Sequence, residues 1–380
     1  MKNPAKLFGH FIKGEPVLFA AILLAIFAIC LVHPSPSLCL EAIDFRTLAI
    51  LFSLMIVIKA FQSQNYLDFI AARLLRLCKN SRSLYFLLTY LVFFSSMFVT
   101  NDVALLTFVP VTLLIFKRTG LSALKIVVLE TLAANLGSCI TPMGNPQNLY
   151  LFSYYGFSAA EFFAITAKIA LPSLFILAIM ILFITKKKVE FSGNILQNQI
   201  TFIKIDFRTF FYLANFIICL ITVFHAINYI FMLIFTLAVM LICNYRLFKK
   251  VDYSLLLTFS GFFIFTKSIS TIQQFSDFIQ ALLSTPLKVY LTGIAASQII
   301  SNVPAALLLS GFTENGKMLL LAVNVGGLGT LIASMASVIS FKLYNNFSRA
   351  EAQAGEKGYF KTFTLYNLAL LILLGIIVYI

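Results

Sequence analysis

A polar, helix-breaking stretch interrupts one of the most apolar parts of this chain: Asn135-Leu-Gly-Ser-Cys-Ile-Thr141-Pro142-Met-Gly144-Asn145-Pro146-Gln147-Asn148. Its flanks, Leu121 to Leu132 and Leu149 to Phe157, are apolar enough to lie in lipid, whereas the middle carries two prolines, two glycines and three asparagines. Backbone broken at membrane depth is tolerated only where protein or a polar cavity satisfies its freed N–H and C=O groups. The pattern occurs twice. Asn324-Val-Gly-Gly-Leu-Gly-Thr330-Leu-Ile-Ala-Ser334-Met-Ala-Ser337 aligns with it without a gap, placing Asn135 on Asn324, Gly137 on Gly326, Thr141 on Thr330, Asn145 on Ser334 and Asn148 on Ser337.

A water-soluble surface cannot be built from 380 residues of which 61% are hydrophobic and 11% charged. The chain therefore reads as an all-α polytopic membrane protein. Its formal net charge of +14 does not point to nucleic acid, because the Lys and Arg sit in short loops between apolar runs, where they set topology and meet anionic lipid. Six scattered cysteines (30, 39, 78, 139, 219, 243) form no CxxC or Cys/His cluster, so neither a disulfide framework nor a zinc site is expected. No cofactor is expected beyond a coupling ion, H+ or Na+. The first apolar run, Val17 to Val32, lacks a small-residue cleavage site and reads as a retained span.

Positive-inside counting gives one path through the chain. Residues 1–43 form a cytoplasmic N-terminal tail and first span, in a multi-pass protein of the cytoplasmic (inner) membrane. A first repeat covers 44–185. After a span that returns to Arg73, Arg76, Lys79 and Arg82, Tyr66 to Leu77 reads as an amphipathic surface helix. The apolar run that follows has Thr100-Asn101-Asp102 at its centre and basic residues at both ends, which reads as a re-entrant hairpin over 84–117 with arms of about 15 residues. A broken helix, 121–157, and a span that returns to Lys186-Lys187-Lys188 complete the repeat. Residues 186–207 are a cytoplasmic loop and 208–250 a connecting pair of spans. The second repeat covers 251–380, with its hairpin at 286–313 and broken helix at 317–343. Asp44 matches Asp252, Lys59 matches Lys267, and Thr100-Asn101-Asp102-Val103 matches Ser301-Asn302-Val303-Pro304. Asp44 begins outside and Asp252 inside, so the reading is of two inverted-topology repeats, the layout of secondary transporters with a midplane site where the breaks meet.

Each hairpin tip and each break starts a half-helix inside the membrane. Asn101 and Asp102, Ser301 and Asn302 before Pro304, and Asn145 before Pro146 are suited to capping; Ser334 is a weaker cap. The unpaired N–H groups and helix dipole favour an anion, and neither 126–167 nor 289–316 contains a Lys or Arg that would be needed otherwise. The substrate- and ion-binding candidates are Thr100, Asn101, Asp102, Asn135, Thr141, Gly144, Asn145, Ser301, Asn302, Asn324, Gly326, Thr330 and Ser334, with Na+ positions at Asn101, Asn145 and Asn302. Asp102 and Glu130 are candidates for coupling, because an ionisable group inside a membrane is costly and usually functional; the alternatives are a helix-capping carboxylate and a partner to a nearby cation. Lys59 and Lys267 read as side chains snorkelling to the interface. No HExxH, GxSxG or histidine cluster marks an enzyme.

At Thr100-Asn101-Asp102, Asn135-Leu-Gly-Ser with Thr141-Pro-Met-Gly-Asn-Pro, Ser301-Asn302 and Asn324-Val-Gly-Gly with Thr330, the chain resembles the ion transporter superfamily. That group contains arsenite permeases, NhaD-type sodium/proton antiporters, citrate-metal symporters and divalent-anion:sodium symporters. The chain is most similar to short arsenite-permease-like anion permeases. In the sodium/dicarboxylate branch the tips carry a Ser-Asn-Thr motif, from which both tips here depart at the third position, Asp102 and Val303. The resemblance implies a small carboxylate, inorganic anion or arsenite-like substrate moved with H+ or Na+, an elevator-type movement of hairpins and broken helices, and a homodimer in lipid. The alternative it leaves open is a sodium/proton antiporter without an organic substrate.

Overall fold

The computed structural model describes residues 15–64, 78, 80–119, 121–184, 206–350 and 356–380. The amphipathic helix expected at Tyr66 to Leu77 and most of the expected loop at 186–207 lie outside them. The described residues form helices joined by short turns, and five helices are long and apolar enough to cross a membrane: Phe45–Ser63, Ser81–Val99, Ala159–Leu182, Tyr229–Lys250 and Gly358–Tyr379.

In chain order, α1 (Pro16–Val32) and the short α2 (Pro36–Ala42) precede α3 (Phe45–Ser63). Two helices separated by one residue follow, α4 (Ser81–Val99) and α5 (Asn101–Thr119). Next come α6 (Leu124–Ser138), a 3-10 turn at Pro142–Gly144, α7 (Pro146–Tyr154) and α8 (Ala159–Leu182). A pair, α9 (Phe207–Val223) and α10 (Tyr229–Asn244), leads to a second series: α11 (Tyr253–Ile269), α12 (Gln273–Leu282), α13 (Pro286–Ile300), α14 (Asn302–Ser310), α15 (Gly316–Val325), a 3-10 turn at Leu331–Ala333, α16 (Met335–Ala350) and α17 (Glu356–Tyr379). The order span, hairpin, broken helix, span thus occurs twice.

Local sequence explains the punctuation. Asp44 and Asp252 cap α3 and α11 by accepting from the N–H of Thr47 and Leu255, each at 3.0 Å. Asn80 and Ser83 form a reciprocal capping box that starts α4. The first hairpin folds back on itself, the Tyr85 ring near the start of one arm meeting Phe116 near the end of the other at 5.5 Å. Its arms are 19 residues each, longer than the 15 or so expected, because Ser81, Arg82 and Lys117 continue the helices past the apolar stretch. About 28 Å of helix nearly equals the hydrocarbon thickness. The second hairpin is shorter, with arms of 15 and 9 residues. Helix α12 was not expected; it leaves α11 at 108° and buries no side chain.

Helix α1 lies along α11 through a stripe of small residues, Ala21, Ala25 and Ala28, all buried. Close approach is possible because Gly261 has no side chain: a Cβ there would sit 3.1 Å from the Ala21 carbonyl oxygen. The first arm of each hairpin packs on its own broken helix, α4 on α6 and α13 on α15. Many large apolar side chains, such as Phe175, Phe210 and Ile234, are exposed, as lipid-facing surfaces require.

Candidate functional site

Both hairpins turn on a single residue with unusual backbone geometry. Thr100 has φ 71° and ψ 154°, and Ser301 has φ 76° and ψ 154°. This region is essentially restricted to glycine, so each non-glycine tip costs about 1–3 kcal/mol. The kink lets a new helix start at once: the carbonyls of Thr100 and Ser301 accept the first bonds of α5 and α14, from Ala104 and Ala305, both at 3.0 Å. Asn101 Oδ1 accepts from the Asp102 N–H at 2.9 Å, and Pro304 removes one N–H from the first turn of α14.

The two breaks are built alike. In the first, Asn145 Oδ1 caps α7 by accepting from the Asn148 N–H at 3.0 Å, and Asn148 Nδ2 donates to the carbonyls of Ser138, Cys139 and Thr141. In the second, Gln298 serves the same end from the neighbouring hairpin. Its Nε2 donates to the carbonyls of Gly326 and Leu328 at 2.8 and 3.0 Å, and its Oε1 accepts from the Thr330 N–H at 2.9 Å. Thr141 donates to the carbonyl of Met97, and Thr330 to that of Gln298, positions that match when the tips are aligned. A Cβ on Gly137 would lie 2.6 Å from Ser96 Oγ, and one on Gly326 2.7 Å from Ser297 Oγ, again matched positions.

The two broken helices are joined by a reciprocal exchange of hydrogen bonds. Asn135 of the first broken helix accepts from Ser334 Oγ at 2.9 Å and donates to Ser337 Oγ at 3.5 Å in the second. Asn324 of the second accepts from Asn145 Nδ2 at 3.3 Å and donates to Asn148 Oδ1 at 2.7 Å in the first. Aligned residues therefore make the same contacts in exchanged directions. Asn135 also accepts from Asn101 Nδ2 at 3.3 Å, tying the first tip to this cluster.

Four helix starts converge on two adjoining cavities of about 270 and 80 Å³. Thr100, Asn101, Asp102 and Asn145 line the larger, and Asn101, Asp102, Ser301, Asn302 and Ser334 the smaller. Asp102 Oδ1 is buried without a hydrogen-bond partner among the described residues. The remaining sequence candidates do not line either cavity. Asn135 and Asn324 stand behind it as connectors, and Thr141, Gly144, Gly326 and Thr330 shape the breaks. A Cβ on Gly144 would fall 2.1 Å from the Ser138 carbonyl oxygen. Glu130 is buried on α6, accepts from Thr112 and leaves its Oε2 without a partner among the described residues.

Residues that sequence reasoning missed complete the lining. Glu15, Asp252, Lys59 and Lys342 bring charge to the larger cavity beside Asp102. Lys59 lines it half-buried, with Nζ donating to Gln62 Oε1 at 3.1 Å.

Comparison with known proteins agrees with this architecture. The sequence profile described as "Citrate transporter" matches residues 12–315. An uncharacterized transporter of Methanocaldococcus jannaschii is 34% identical over 306 residues, 80% of this chain and 82% of that protein. The inner membrane protein YbiR of Escherichia coli is 27% identical over 309 residues, 80% of this chain and 81% of its own length. The P protein of Mus musculus is 31% identical over 134 residues, 34% of this chain and 16% of that protein. Apolar spans, interrupted helices and a polar internal cavity describe a multi-pass membrane transporter rather than an enzyme, and the chain belongs to the citrate transporter family.

Proposed function

We propose that the protein is a secondary active transporter that carries a small carboxylate or oxyanion together with a cation, H+ or Na+, by alternating access between two inverted repeats of the cytoplasmic membrane. The observation that carries this reading is the convergence of the α5, α7, α14 and α16 starts on a cavity lined by Asp102, whose Oδ1 is buried without a hydrogen-bond partner among the described residues.

The energetics favour a cation. Each helix start favours an anion by about 0.5–2 kcal/mol, so four supply roughly 2–8 kcal/mol before desolvation. An ionised Asp102 at a separation on the order of 6 Å opposes this by about 3 kcal/mol at an effective dielectric near 20. Glu15 and Asp252 add two carboxylates, which Lys59 and Lys342 match in formal charge, so Asp102 is the carboxylate left over in the lining. An anion therefore binds more tightly, by about 3 kcal/mol, when Asp102 is protonated or paired with sodium, which couples the two.

Support for inversion comes from the equivalent helices α3 and α11. The larger cavity is lined by the end of α3 (Ile58, Lys59) and the cap of α11 (Asp252), so the two run in opposite directions across it. The positive-inside pattern supports a cytoplasmic side for this cavity.

The test is current and pH change in proteoliposomes on a solid-supported membrane, challenged with sodium alone and then with citrate, succinate, sulfate, phosphate and arsenite. A response that requires the added anion supports the reading. A sodium-triggered proton flux with no anion present overturns it in favour of a sodium/proton antiporter.

A further inference from the structure

A third cavity, of about 200 Å³, is lined by Asp44, Tyr150, Tyr154, Thr266, Lys267 and Leu307 among others. It lies at the other ends of α3 and α11: the cap of α3 and the last turn of α11 line it, whereas the C-terminal half of α3, as far as Lys59, and the cap of α11 line the larger cavity. Its lining is the repeat-equivalent of that cavity. Lys267 stands for Lys59 and Asp44 for Asp252. Leu307 stands for Leu106 when the hairpin tips are aligned, and Tyr150 for Ile339 when the breaks are aligned. Neither tip and neither Asn145 nor Ser334 lines it. On this side Tyr150 Oη is bonded to Ser310 Oγ at 2.8 Å, which holds α7 against α14.

Two features equip this cavity to hold a ligand. Lys267 is exposed and is the cation of its lining, opposite the carboxylate of Asp44, both of whose oxygens already accept from Thr47. Beside it, Thr266 is only 9% exposed, yet its hydroxyl has no hydrogen-bond partner among the described residues. A buried hydroxyl left unpaired is costly, and a rotation of Thr266 about χ1 that exchanges its hydroxyl with the Cγ2 facing Gly311 would let it donate to an anionic oxygen in the cavity. Gly311 allows the arrangement, since a Cβ there would sit 2.6 Å from Thr266 Cγ2.

We propose that this cavity is a second anion site, in which Lys267 and the Thr266 hydroxyl receive a small carboxylate or oxyanion on the face opposite the larger cavity. The site rests on the transporter reading, and Lys59 is its counterpart on the other face. Each lysine serves the anion arriving from its own side, and the tips are reached from the Lys267 side only when the Tyr150 and Ser310 contact opens.

The chain contains no tryptophan, so Tyr154→Trp places a single fluorescent reporter in this lining. In phosphatidylcholine nanodiscs the reporter is titrated with citrate, succinate, sulfate and phosphate, alone and combined with Lys267→Gln, Lys267→Arg or Lys59→Gln. In parallel, KM is measured for uptake from each face of oriented vesicles. The expected result is saturable quenching by at least one anion, weakened 10-fold or more by Lys267→Gln, largely restored by Lys267→Arg and unchanged by Lys59→Gln. KM should rise with Lys267→Gln from the Lys267 face only. Quenching by none of the anions, or quenching and KM untouched by Lys267→Gln, overturns the site while leaving transport intact. Quenching that depends on Lys267 in a protein that moves no anion upholds the site and overturns the transport reading instead.

Discussion

Replacing the two hairpin-tip residues with glycine should stabilise the protein while weakening its hold on the anion. Thr100 and Ser301 both occupy a backbone region close to glycine-only, each at a cost of about 1–3 kcal/mol. Glycine removes that cost but adds about 0.5–1 kcal/mol of unfolded-state entropy. The balance per tip is about +1 kcal/mol, or about 2 kcal/mol for Thr100→Gly with Ser301→Gly. At roughly 1–2 °C per kcal/mol for a chain of this length, the double variant should melt about 2–4 °C higher. Alanine at the same positions keeps the strain and removes the hydroxyl, with the methyl as well at Thr100, so it should give no rise. The assay follows thiol-dye labelling of the buried Cys78, Cys139, Cys219 and Cys243 on heating, in a background where Cys30 and Cys39 are serine. Freer tips should also raise the transport KM several-fold, because the helix starts are no longer held ready. Glycine variants that melt at or below the alanine variants would refute the strain argument.

Gly137→Ala places a Cβ 2.1 Å from the Phe93 carbonyl oxygen, so α4 and α6 must separate at a cost of about 1–3 kcal/mol; Gly375→Ala, with nothing within 4 Å, should leave the melting temperature level or slightly raised. Asn324→Ala leaves Asn148 Oδ1 without its 2.7 Å donor. The penalty for an orphaned buried amide, about 1–3 kcal/mol, should exceed the roughly 0.6 kcal/mol typical of one interhelical bond in a membrane, and thermal melting reads the difference. Glu130→Gln keeps an acceptor for Thr112 and lies off both cavities, so proteoliposome uptake driven by an ion gradient should remain above half of the parent's.

The hairpins and breaks were legible because polar and helix-breaking residues inside apolar runs have few physical explanations. Thr100-Asn101-Asp102 and Ser301-Asn302 fall where α4 gives way to α5 and α13 to α14, and Asn145 caps α7 as its Asn-Pro step foretold. Helix ends were less legible: Ser81 and Arg82 are polar, yet a capping box at Asn80 draws them into α4. The cross-repeat bonds of Asn135 and Asn324 span about 180 to 200 positions, a separation that no local periodicity encodes. Gln298 was missed because nothing in an apolar helix says which carbonyls its amide will meet. The place of Lys59 near a helix end fits both an interface and a cavity, and the packing of α3 against α11 is what brings it to the cavity lining.

The coupling of anion to cation through Asp102 is tested most directly by comparing Asp102→Asn with the parent protein in two modes of the same proteoliposome assay. Counterflow exchange of a labelled anion needs only binding and alternation, whereas concentrative uptake needs the gradient to be coupled. The account predicts that Asp102→Asn retains exchange and loses concentrative uptake. Concentrative uptake that survives the substitution would contradict it.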